Sequence, residues 1–174
     1  NAYLTELTVG RKISTLGESG NNFGTLDLSP VTTGVLDVSG DVFIGEGFGI
    51  SGILTVPNTL DMKIGVDTST RGTLHIGAGR AKEAATAVST MTLGTGTLDA
   101  FLTELNVGTI TQVSQVFGAL DDQADGTLDA SSLSGGTLDV SGAISIAVIT
   151  ADQQNHGSGT DLVSVSAEGT VLLP

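Results

Sequence analysis

Gly34-Val-Leu-Asp-Val-Ser-Gly40 recurs almost unchanged as Gly136-Thr-Leu-Asp-Val-Ser-Gly142. Within Leu36-Asp37-Val38-Ser39 aliphatic and polar residues alternate with period two, the pattern of a strand with one face in a core and one in water. Glycines bound the segment, where a residue free to take positive φ lets the chain turn. A strand this short cannot bury its aliphatic face alone, so copies of it must stack on one another.

Working outward, the tetrapeptide recurs as Gly24-Thr-Leu-Asp27, Asn58-Thr-Leu-Asp61, Gly72-Thr-Leu-His75, Gly96-Thr-Leu-Asp99 and Gly126-Thr-Leu-Asp129. Its spacing reads as two interleaved series with a period near 24 residues and a competing phase of 18–20. A longer duplication lies on top. Ala2-Tyr-Leu-Thr-Glu-Leu-Thr-Val-Gly10 matches Ala100-Phe-Leu-Thr-Glu-Leu-Asn-Val-Gly108, and Gly24–Ser29 matches Gly126–Ser131. The expectation is one continuous all-β domain over 1–174: a parallel β-solenoid of about 6–9 coils of roughly 18–24 residues, with little or no helix. The duplication divides it into 1–98 and an incomplete second copy, 99–174. Asn1 aligns with Asp99, inside a coil. That phase suggests a segment of a longer array, or a subunit whose ends meet those of identical subunits.

Composition agrees with a slim aliphatic interior. The 174 residues include 25 glycines, no cysteine and no tryptophan, and aromatics make up 3%. Without cysteine there is no disulfide framework, thiolate catalysis or cysteine-ligated zinc. No apolar run is long enough to span a bilayer, so membrane insertion is not expected. A formal charge of −13 argues against nucleic acid or an anionic membrane as partner. The charge is also lopsided. All six bases (Arg11, Lys12, Lys63, Arg71, Arg80 and Lys82) lie in the first half, while residues 88–174 carry ten carboxylates and no base. Such a surface serves solubility, or it recruits divalent cations.

Arg80-Ala-Lys-Glu-Ala-Ala-Thr-Ala-Val-Ser89 has helical propensity, yet it falls at the repeat spacing and reads as a coil or excursion. Gly45-Glu-Gly-Phe-Gly49 lacks the Lys and following helix of a phosphate loop and reads as a turn. After Asp152, short strand candidates remain at 162–165 and 170–173, as a cap or a continuation.

Arg71-Gly-Thr-Leu-His-Ile-Gly77, Met91-Thr-Leu-Gly-Thr-Gly-Thr-Leu98 and Leu138-Asp-Val-Ser-Gly142 resemble the strand repeats of autotransporter passengers and related large bacterial surface proteins. The resemblance runs from Leu4 to about Ile149. It implies a right-handed parallel β-helix, secreted and displayed at the cell surface as a rigid stalk or adhesin. With neither a membrane-barrel pattern nor a sortase motif in the sequence, the export route stays open.

Candidate chemistry centres on Asp121-Asp122-Gln123-Ala124-Asp125-Gly126-Thr127-Leu128-Asp129. There Asp121, Gln123, Asp125 and Asp129 occupy positions 1, 3, 5 and 9 of an EF-hand-like calcium loop, with Gly126 at the turn. Gln at position 3 and Ser132 in place of a bidentate Glu depart from that pattern; the alternative is a further repeat start behind an acidic loop. Calcium is the one cofactor considered.

The outward aspartates Asp27, Asp37, Asp61, Asp99, Asp129 and Asp139 would repel if stacked about 4.8 Å apart. Relief comes from calcium ladders, from interleaved partners, or from staggering onto two faces, which the 10/14 alternation favours. Paired aspartates also serve polysaccharide-active solenoid enzymes. The acidic half, however, has only Phe101 and Phe117 as aromatics and no base to hold a sugar, so an enzyme is not expected.

Gly157-Ser-Gly-Thr-Asp161-Leu-Val163 is one imperfect match to a calcium-binding nonapeptide repeat. His75 and His156 are too isolated for a metal site. Thr90-Met-Thr92 and Thr109-Ile-Thr111 are too scattered for an ice-binding ladder. The expected function is structural: a building block of an extracellular filament, stalk or adhesin whose partner is itself, head to tail. A calcium- or ligand-binding surface module is the alternative.

Overall fold

A computed structural model describes residues 1–11, 22–47, 50–57, 59–81, 86–113, 121–149 and 164–174. These residues form strands and connections and no helix. The strands are β1 (Ala2–Leu4), β2 (Leu7–Arg11), β3 (Asn22–Asp27), β4 (Gly34–Val38), β5 (Val42–Gly47), β6 (Ile50–Val56) and β7 (Leu60–Ile64). They continue with β8 (Gly72–Ala81), β9 (Thr86–Leu93), β10 (Thr97–Val113), β11 (Asp121–Asp129), β12 (Gly135–Val140), β13 (Ile144–Ile149) and β14 (Ser164–Leu172).

All the strand pairs are parallel, and the chain passes through three series in a constant order. The first series is β1, β4, β7, the start of β10, then β12. The second is β2, β5, β8, the rest of β10, then β13. The third is β3, β6, β9, β11 and β14, which make a five-stranded sheet; the other two series join through β10 into a nine-stranded one. β10 serves two series because it runs through the corner, with a register shift between Leu102 and Glu104.

This pairing corrects the repeat length. Stacked neighbours lie between 26 positions apart (Leu36 and Met62) and 43 apart (Leu128 and Val171), in five passes instead of 6–9 coils of 18–24 residues. The signature misled because it occurs on strands of every series. Gly24 and Gly126 belong to the third, Gly34 and Gly136 to the first, and Gly72 to the second. Its spacing therefore mixes neighbours along the chain with neighbours in the stack. In the second series the long duplication follows the stack: the register runs Leu7, Val42, Leu74, Leu105, an offset of 98 over three passes, whereas in the first series Leu4 stacks with Ala100, two residues short of its match at Leu102.

Period-two alternation sends aliphatics inward as continuous columns. Leu4, Val38, Ile64, Ala100 and Leu138 form one, and Val9, Ile44, Ile76, Val107 and Ile146 another. In the third series Leu26, Leu54, Met91, Leu128 and Val171 face them. The middle members of these columns form one buried cluster.

Two columns of small residues bring the sheets together. Gly10, Gly45, Gly77 and Gly108 hold φ between +60° and +67° within the second series. Across from them run Gly24, Gly52, Ser89, Gly126 and Gly169. A Cβ at Gly126 would lie 2.3 Å from the Gly108 nitrogen, so the backbones touch there. Ser89 is the exception, fully buried, with its hydroxyl accepting the Gly52 N–H at 3.2 Å. The expected turn at 45–49 is thus, over Gly45–Gly47, the end of β5 with a left-handed kink. Residues 48–49 lie outside the described ones, as do 82–85 of the helix-prone segment, which is strand at both flanks.

Candidate functional site: the two open ends

Among the described residues, each strand of the first pass (β1, β2, β3) and of the last (β12, β13, β14) has a ladder partner on one side. Their other edges present a row of backbone N–H and C=O groups that can template a further strand. The side chains behave accordingly. Ile144 and Ile146 stand in the columns of Leu105 and Val107, which are 1% and 0% accessible, yet they are 56% and 40% accessible themselves. Among the described residues no strand pairs with the outer edge of β13. Leu4 opens its column at the other end and is 36% exposed. Tyr3 and Phe23 on the first pass, and Ile149, Leu172 and Leu173 on the last, are exposed as well. Leu4, Ile144 and Ile146 thus show core columns at the ends, whereas Tyr3, Phe23 and Leu172 stand in outward columns.

The aspartates divide between bonds up the stack and bonds in local turns. The Asp41 carboxylate accepts the N–H and hydroxyl of Thr73 one pass on, at 2.9 and 3.0 Å. Asp61 accepts the same two groups of Thr97, at 2.9 and 2.8 Å. Asp27, Asp67 and Asp129 instead close local turns on Ser29, Ser69 and Ser131. The serine hydroxyl and then its N–H hold each carboxyl below the ordinary aspartate value, because both bonds favour the ionised form. Repulsion between stacked aspartates is relieved by interleaving. Lys63 stands between Asp37 and Asp99, and Thr55 and Thr92 stand between Asp27 and Asp129.

The four calcium-loop candidates, Asp121, Gln123, Asp125 and Asp129, all lie on β11, which is paired on both sides, with β9 and β14. A calcium loop must wrap around its ion. An extended strand instead sets positions 121 and 129 about 26 Å apart. The Asp129 carboxylate is bonded to Ser131, and Gly126 belongs to the glycine column. Among the described residues no group of three or more His, Asp or Glu is placed to hold a metal ion. The nonapeptide at 157–163 and His156 lie outside the described residues.

His75 lies on the outer face, its Nε2 2.8 Å from Glu104 Oε1 and its ring edge-on to Phe43, centroids 5.2 Å apart. The Arg11 guanidinium covers Phe43 at 3.9 Å. Spacing did not reveal this ladder, because its members come from four successive passes.

A surface groove of about 490 Å³ lies over the turns leaving the third series, lined by Ser29, Thr32, Thr55, Pro57, Thr59 and Thr92 among others. Its walls carry hydroxyls and aliphatic groups and no titratable side chain, so the groove itself offers no acid–base pair. Nearby, Thr25, Thr90, Thr127 and Thr170 share an outward column with Ile53. The parallel column mixes Asp27, Thr55, Thr92, Asp129 and Leu172, so no two-column threonine ladder results.

No family model, curated protein or solved structure matches the chain.

Proposed function

We propose that the chain is a β-solenoid building block of an extracellular surface filament, stalk or adhesin, assembled end to end. The observation that carries this reading is that, among the described residues, the first and last passes each keep strand edges without a ladder partner, with Leu4 at one end and Ile144 and Ile146 at the other exposed in their core columns while Leu7 and Val9 are buried. The constant order of three parallel series supports a solenoid, and the general preference of parallel crossovers favours the right hand. Such a rod does mechanical work by stacking alone, which suits a chain without cysteine. Its outer face is acidic, hydroxyl-rich and poor in bases, as suits display at a cell surface. Purified protein examined over a concentration series by light scattering and negative-stain electron microscopy should form unbranched fibres one solenoid wide. Particles that stay monomeric at high concentration would overturn the proposal.

A further inference from the structure

Resting on that assembly reading, we infer that the joint is polar and in register: β12, β13 and β14 of one copy pair, parallel, with β1, β2 and β3 of the next. The columns select this arrangement. Continuing each register by one pass sets Leu138 beside Leu4 of the second copy, Ile144 beside Leu7, Ile146 beside Val9, and Val171 beside Leu26. Four aliphatic columns then run through the joint without a polar member. Gly169 meets Gly24, so the column of small residues also continues.

The outer face fits as well. Thr137 meets Tyr3, Ser145 meets Thr8, Glu168 meets Phe23, Thr170 meets Thr25, and Leu172 meets Asp27. None of these pairs sets one carboxylate against another, although the chain carries 19 acidic residues. A copy turned over would meet the three series in reverse order, so at most one could face its like, and the strands would be antiparallel. The head-to-tail contact is heterologous and does not close, which is the symmetry of a filament.

The test uses the absence of native cysteine. Thr25→Cys and Thr170→Cys variants, each exposed on the outer face, are mixed under assembly conditions with a short thiol crosslinker. Neighbouring strands stand about 4.8 Å apart, so the two thiols fall within its reach. The expected result is a shift to the dimer band in the mixture and not with either variant alone. Thr8→Cys with Ser145→Cys repeats the test on the second series.

Fibres in which Thr170→Cys crosslinks to itself would overturn the polar joint and leave the assembly reading standing. Fibres in which Thr170→Cys pairs instead with Phe23→Cys would overturn the register alone. Protein that forms no fibres by electron microscopy would remove both.

Discussion

A methyl group added at Gly108 would sit 1.7 Å from the Glu168 carbonyl oxygen, at a φ of +60° that side chains rarely adopt. Gly108→Ala is expected to cost about 3 kcal/mol or more. At Gly135, where an added Cβ meets nothing within 4 Å, the same change should stay within about 0.5 kcal/mol. Denaturant melts of the two variants make the comparison. Ala147 continues the glycine column on the last pass, with φ of +54°. Ala147→Gly should therefore stabilise by about 1 kcal/mol, the left-handed penalty outweighing the entropy of glycine.

Protonation acts at the same scale. Asp27, Asp67 and Asp129 ionise more readily folded than unfolded, so their turns contribute fully above the ordinary aspartate value of 3.8. That contribution is lost as pH falls through the lower folded-state values. Thermal melts should fall in acid, and a variant with all three changed to Asn should lose less on acidification than the parent. None of these turns was legible as such. The sequence shows aspartates at a recurring position, and whether each bonds along the chain or up the stack depends on the neighbouring pass.

Between elements, the longest reach belongs to Arg71, in the turn before β8. Its guanidinium binds the Asp139 carboxylate through two nitrogens at 3.0 and 3.1 Å and also donates to the carbonyls of Leu102 and Asp139. It thereby ties the third pass to the fifth across the fourth. Arg71→Met should loosen β12 by about 1–3 kcal/mol, seen as faster amide hydrogen exchange in Gly135–Val140. Exchange in β4 and β7 should change little. The clamp was hidden because its partners are 68 residues apart, and composition presents Arg71 only as one of six bases. The strand placement of the calcium-loop candidates was hidden for a related reason. Oxygen-bearing residues at alternate positions suit a wrapped loop and a strand equally, and pairing with both β9 and β14 extends the chain.

For the whole molecule, the charge of −13 opposes assembly of identical copies, and salt screens it. Scattering should show fibre growth promoted by sodium chloride as well as by calcium chloride of equal ionic strength. A response specific to calcium would instead favour the alternative of a calcium-binding surface module. Ile146→Glu, which charges an open core column, should block fibres while leaving the monomer's circular dichroism unchanged.

Period-two alternation, glycine punctuation and the 98-residue duplication were enough, read along the chain, to point to short stacked strands, an aliphatic interior and little or no helix. These properties are local, because alternation fixes which side of a strand is apolar whatever lies beside it. The number of passes, the stacking distance of 26 to 43 residues and the partners of Asp27, Asp41, Asp61, Asp67, Asp129 and Asp139 were decided only in the tertiary structure. The turns differ in length from pass to pass, so register is set by which aliphatic columns and backbone glycines come into contact, a property of neighbouring passes that no spacing in one chain encodes.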